Sequence, residues 1–361
     1  MNRSDTLPRP SSPARPQKSG TRRLSRLALM VLGALVLLRP GAGRAAEATR
    51  YPLTIRNCGQ PLTFDHAPKR VVSIGQASTE ILLSLGLADR VVGTAVWFGP
   101  VLPAYAAESA RIKRLADNDP SFESVVGQDP DLVTAQYEWH IGPHGSVGTR
   151  QQFSDLKIPT YISPSDCVAK DNAGSGDGVR REMFTMDLVY GEIRDLARIF
   201  DVADRGDKLV ADLKAREAAA RAAVAGRAMG VPVVFWFSSK DVKGDAFVAG
   251  KNGAPAFMVQ ALGARNVVTT EEEWPLASWE SIAAADPAVL VVAQMDRRRF
   301  PADDLAVKRA FLGRDPVVSQ MRAVKGGQVV VMDAQAMNPS IRTVDGIEAL
   351  AQGIEAAEPA R

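Results

Sequence analysis

The sequence predicts an α/β protein of two Rossmann-like lobes, each built on a central, mostly parallel sheet, the two joined by one long connecting helix. Three observations carry that expectation. Strand and helix patterns alternate along the chain, the alternation gives way to one long helical stretch and then restarts, and a pair of short units recurs in the same order in each half. At 361 residues, 46% hydrophobic and 24% charged, the chain is long enough to bury two cores of ordinary size.

The first 45 residues differ in kind from the rest. A Pro-, Ser- and Arg-rich lead (Arg15, Lys18, Arg22, Arg23, Arg26) precedes an apolar run from Leu27 to Leu38 and then Gly43-Arg44-Ala45. These are the three regions of a secretory signal peptide, expected over 1–45 with cleavage near Ala45. Twelve apolar residues closed by Arg39-Pro40 are short for a membrane span, which needs about 20. Thr21-Arg22-Arg23 resembles a twin-arginine export signal, but Ser25 stands where that signal prefers a bulky apolar residue. No cysteine lies at the cleavage site, so the product is expected in the periplasm without a lipid anchor.

The full chain has a formal net charge of +3, but the leader supplies the excess. Without it, 35 basic side chains face 40 acidic ones, a net of about −5, which argues against a nucleic-acid partner. The only two cysteines, Cys58 and Cys167, both fall in the exported part, where pairing is a simpler expectation than two buried thiols. Such a bridge would contribute up to about 4.7 kcal/mol by restricting the unfolded chain.

The elements follow in order. Tyr51–Ile55 reads as a strand, Arg70–Ile74 as a buried strand ending at Gly75, and Ser78–Leu85 as a capped helix stopped by Gly86. Val91–Val96 reads as a strand, Ser121 opens a helix, and Asp131–Ala135 is again a strand. From Met183 to about Arg227 helical spacing (Ile193, Leu196, Ile199, Phe200, Leu209, Leu213) continues with few breakers. Strands then return at Val231–Phe237, Val289–Ala293 and Val329–Met332, with a helix at Pro255–Leu262. The expected divisions are an N-terminal lobe over 46–200, a connecting helix over 201–227 and a C-terminal lobe over 228–361.

Two units recur. Leu83–Thr94, built around Leu85-Gly86-Leu87, is similar to Gln260–Thr270, built around Leu262-Gly263-Ala264. Ser121-Phe122-Glu123-Ser124, with Asp129-Pro130 following, matches Ser278-Trp279-Glu280-Ser281, with Asp286-Pro287 at the same offset. Each second unit reads as an N-cap, a carboxylate in the first turn where the helix dipole favours it, and a helix stop before a strand. That local account explains the spacing without any function.

These units, with Arg70-Val71-Val72-Ser73-Ile74 and Leu85-Gly86-Leu87, resemble the class III periplasmic binding proteins that serve cobalamin, ferric-siderophore and haem importers. The resemblance covers residues from about 50 to 355. It implies a monomeric receptor without catalytic residues that hands a ferric-siderophore-type chelate to the permease dimer of an ABC importer, with a corrinoid or haem as alternative cargo. It also implies that Glu123 and Glu280, one per lobe, meet arginines of that permease.

In a two-lobed receptor the ligand lies at the carboxyl ends of the strands. Those ends nominate Trp97 and Phe98, Tyr137, Trp139 and His140, Trp236 and Lys240, Arg297 and Arg298, and Arg342. Trp236, inside an apolar run, reads more as core, whereas Trp97 and the 137–140 cluster are expected on surface loops. Aromatic faces and guanidinium forks suit a large anionic chelate. Tyr137, His140 or His144 could ligate a metal as in haem sites, but Pro143 separates the two histidines, and a bare-ion site is not expected.

Other signals lead nowhere. Gly244–Lys251 lacks phosphate-loop spacing and has Asn252 in place of Ser or Thr, and Gly174–Gly178 follows no strand. Asp171–Asp177 lacks calcium-loop spacing. There are three histidines and neither a Gly-x-Ser-x-Gly nor a His-Glu-x-x-His, so the competing class, a periplasmic hydrolase, lacks a catalytic constellation. A sensor that signals to a membrane partner is the other alternative.

Overall fold

Val71–Ile74 is buried at every residue, as a strand covered by helices on both faces must be. The computed structural model in which it is seen describes residues 47–174 and 177–356, and the leader expected over 1–45 lies outside them. The described chain opens with an antiparallel hairpin of β1 (Leu53–Asn57) and β2 (Gln60–Phe64), turning at Cys58 and Gly59. There follow β3 (Val71–Ile74), α1 (Gln76–Ser84), β4 (Val91–Ala95), α2 (Ala106–Ser109), β5 (Arg114–Ala116), α3 (Phe122–Val126), β6 (Leu132–Ala135), α4 (Glu138–Ile141), α5 (Arg150–Asp155) and β7 (Thr160–Ile162). Strands β5-β4-β3-β6-β7 form a five-stranded, all-parallel sheet.

After a short antiparallel pair, β8 (Lys170–Asp171) and β9 (Val179–Arg180), come α6 (Met186–Ile199) and α7 (Ala203–Ala223). The stretch expected as one helix is therefore two. Asp201 adopts a left-handed conformation, φ 58°, and Val202 N donates back to Ala197 O. The turn lets α7 fold against α6 at Gly206, where a Cβ would stand 2.5 Å from that of Ala197. Helical periodicity continues through such a turn, so spacing alone does not reveal it.

The second sheet is built from β10 (Pro232–Ser238), β11 (Ala246–Val248), β12 (Arg265–Asn266), β13 (Leu276–Ala277), β14 (Val289–Gln294) and β15 (Val329–Asp333). Its parallel part runs β12-β10-β14-β15, with β11 and β13 added antiparallel. Helices α8 (Ala254–Leu262), α9 (Trp279–Ala284), α10 (Leu305–Arg314), α11 (Arg322–Lys325) and α12 (Thr343–Ala356) accompany it. No helix among the described residues is long and apolar enough to cross a membrane.

The parallel order β4-β3-β6-β7 in the first lobe matches β12-β10-β14-β15 in the second, so the sequence repeat is a repeat of structure. Ser121 and Ser278 both cap helices, each accepting from the backbone N–H three residues on, at 3.1 and 3.2 Å. Gly86 and Gly263 are both left-handed (φ 70° and 80°), as are Asp129 and Asp286 (φ 50° and 44°). One expected cap is displaced. The helix read as starting at Ser78 begins at Gln76 after Gly75, whose φ of 132° and contact with Gln136 exclude a side chain. Both lobes share one apolar core that includes Leu82, Phe98, Ile193, Leu213, Met258 and Ile347.

Candidate functional site

The carboxyl ends of the two sheets meet. Phe98, after β4, accepts main-chain hydrogen bonds on its carbonyl from Asp296 N at 2.8 Å and Arg297 N at 3.0 Å, after β14. The Phe98 ring stands edge-on to Phe237 at 6.2 Å, and Phe237 lies 4.7 Å from Trp274. The Arg297 guanidinium sits 4.2 Å from the centre of the Phe98 ring, a cation–π contact across the lobes.

Arg297 is half-buried. Burial lowers its pKa, and its Nε is buried without a partner among the described residues. The guanidinium shares its electrostatic surroundings with Tyr137, whose own pKa burial and then the nearby Asp166 push upward. The Tyr137 oxygen accepts from Gln136 Nε2 at 2.8 Å, which leaves its hydroxyl proton to donate. Ser165 Oγ is a second buried polar atom without a partner among the described residues. Beside this cluster a cavity of about 310 Å³ is lined by Pro100, Val101, Gln294, Met295, Asp333 and Arg342. Buried donors without acceptors are costly unless something fills their valence, and a bound anion would do so.

The nominated residues divide. Tyr137 and Arg297, both half-buried, come together at the cleft, whereas Phe98 is 6% exposed and backs the Arg297 guanidinium from the core. Trp97, expected on a surface loop, is buried at 4%, with Arg114 4.7 Å over its ring. His140, expected in the same setting, is 2% exposed and bound to Asp119 at 3.3 Å. Only Trp139 of that cluster is well exposed, at 64%. Trp236 is core, edge-on to Trp279 at 4.6 Å. Lys240 and His144 are exposed, and so is Arg298, which donates to Met295 O and Arg297 O. Arg342 is no free cation. It forms a two-pronged ion pair with buried Glu80, donates to Pro100 O at 2.7 Å and lies 3.2 Å from Asp333. Glu123 and Glu280 are exposed in the first turns of α3 and α9.

Sequence reasoning missed Phe237, Trp274, Glu80 and Arg180. Arg180 is buried, with its Nε 2.9 Å from Glu273 and Nη2 2.8 Å from Ser165 O, and Val179 bridges Glu272. The segment that reaches across in this way starts from Cys167, which is disulfide-bonded to Cys58. No local pattern marks Arg180, because its partner lies 93 residues away. Among the described residues no cluster of three or more His, Cys, Asp or Glu is placed to hold a metal ion.

Comparison with known proteins places this arrangement. A family model described as periplasmic binding protein matches residues 71–336. A cobalamin-binding protein of Halobacterium salinarum is 27% identical over 313 residues, covering 85% of this chain and 75% of its own length. An uncharacterized ABC transporter substrate-binding lipoprotein of Bacillus subtilis is 24% identical over 310 residues, covering 84% and 86%. Among solved structures, an ABC-type Fe3+-hydroxamate transport system from Saccharomonospora viridis is similar with a TM-score of 0.68 at 26% identity, covering 84% of this chain and 99% of its own.

Proposed function

The chain belongs to the periplasmic binding protein family, and we propose that it captures a ferric-siderophore-type chelate in its interlobe cleft and delivers it to an ABC permease. The observation that carries this reading is Arg297, a half-buried cation whose Nε lacks a partner among the described residues, backed by Phe98 and beside the hydroxyl of Tyr137. A guanidinium fork with a phenol donor beside it suits the anionic oxygens of such a chelate. The likeness to a Fe3+-hydroxamate transport system supports the same class. A second reading, a corrinoid, is favoured by the cobalamin-binding relative.

Delivery in this reading uses Glu123 and Glu280, exposed at equivalent places in the two lobes, as carboxylates that register a monomeric receptor on the two halves of a permease dimer. In this reading the protein works in the periplasm after loss of its leader. The Cys58–Cys167 bridge fits that oxidising compartment.

Calorimetric titration of the purified chain with ferrioxamine B, cyanocobalamin and hemin tests the reading. Saturable binding of the ferric chelate is expected. Binding of cyanocobalamin alone would replace the cargo with a corrinoid, and binding of none would overturn the reading.

A further inference from the structure

Of the five tryptophans, Trp97, Trp236 and Trp279 are buried and Trp274 is half-buried, whereas Trp139 is 64% exposed. An exposed indole is unremarkable in itself. This one, however, is held. Its Nε1 donates to Asp119 Oδ2 at 3.3 Å, and Asp119 Oδ1 lies 3.3 Å from Nε2 of His140, which is 2% exposed. Ser146 also bonds to the Asp119 carboxylate, whose pKa is pushed down to about 2, chiefly by His140, so the carboxylate stays ionised at any ordinary pH.

The place of this cluster in the fold is equally specific. Asp119 follows the carboxyl end of β5 and Trp139 that of β6, with Trp97 after β4 between them, its backbone N–H donating to Asp117 O. The indole therefore stands at the carboxyl edge of the first sheet, the edge from which Phe98 contacts Arg297. The Tyr137 ring and the buried His140 ring lie 5.8 Å apart behind it. A side chain already fixed by hydrogen bonds loses less freedom when a ligand stacks on it.

We infer that Asp119 is a positioning residue that sets the Trp139 indole as a stacking surface for an aromatic ring of the bound chelate. This rests on the chelate-binding reading above and adds to it a preference for ligands that combine anionic oxygens for Arg297 with aryl groups for Trp139.

The test is calorimetric titration of the full chain and its variants with ferric enterobactin, which carries catechol rings, and ferrioxamine B, which carries none. Trp139→Ala and Asp119→Asn are each expected to weaken the catecholate roughly three- to tenfold and to leave the hydroxamate within about twofold. Trp139→Phe should keep most of the affinity, and Asp119→Asn should cost nothing further in the Trp139→Ala background. Equal losses for both chelates, unchanged catecholate affinity, or additive losses in the double variant would overturn the inference and leave the chelate reading standing. Binding of neither probe by the wild-type chain would overturn both.

Discussion

Glu80 and Arg342, 262 residues apart in the chain, close the two lobes on each other through a buried two-pronged ion pair, with Nε to Oε2 at 2.8 Å. The same carboxylate accepts from Gln76 Nε2 and Leu102 N, both at 3.2 Å, and the same guanidinium reaches Pro100 O and Asp333. Burial raises the Glu80 pKa, and the hydrogen bond and charge of Arg342 oppose the shift. The pair fastens α1 and the loop after β4 to the start of α12, which leaves little freedom for a wide hinge.

Arg342→Ala should therefore destabilise the protein by about 3–5 kcal/mol in urea unfolding, because it strands a buried carboxylate. Replacing both partners, Glu80→Leu with Arg342→Leu, should recover much of that loss. A double variant no more stable than the single one would show that the pair contributes beyond its charge balance.

Glu192 supplies a pH dependence of stability. It is buried in α6 with hydrogen bonds from the Ser163 and Ser78 hydroxyls, and desolvation raises its pKa from 4.5 to about 7. Its folded pKa lies above the unfolded value, so its favourable contribution is fully present below about pH 4.5 and is lost as pH rises through about 7. Unfolding free energy should fall across that window by on the order of 3 kcal/mol from this group. Glu192→Gln should flatten the slope in denaturant titrations run at a series of pH values.

Reduction of Cys58–Cys167, which closes a sequence separation of 109 residues, should lower stability by about 2–5 kcal/mol. The paired substitution Cys58→Ser with Cys167→Ser should reproduce the shift in unfolding midpoint and abolish the effect of reductant.

Charge reversal at Glu123 and Glu280 together should abolish uptake in a transport assay while ligand affinity stays unchanged. Transport by the doubly reversed variant at the wild-type rate would remove the docking assignment.

The architecture was legible in the sequence wherever a local rule set it. Ser121 and Ser278, Gly86 and Gly263, and the two Asp-Pro stops each have a stereochemical reason that shows in a few residues, so the repeat could be read and the lobes inferred from it. The positions of Phe98, Tyr137 and Arg297 just beyond strand ends could be read as well, since a strand end shows in a few residues. Trp97 and Arg342 stood at equally good positions, yet Arg114 and Glu80 claim them, and those partners are set by tertiary packing. Glu80 itself resembles any polar residue of a surface helix until α12 covers it. The break at Asp201 hides because both flanking helices keep the same apolar spacing. Trp274 lies in a loop and Arg180 in the two-residue strand β9, both of which take their course from packing against distant segments, and nothing nearby announces them.

The most direct test of the central reading is native mass spectrometry, with an absorbance spectrum, of the protein purified from the periplasm of cells grown without added iron. A single bound species is expected, with the mass and visible absorption of a ferric chelate, and it should be lost in Arg297→Ala. A chain that is ligand-free under those conditions, and stays so after incubation with ferric chelates, would contradict it.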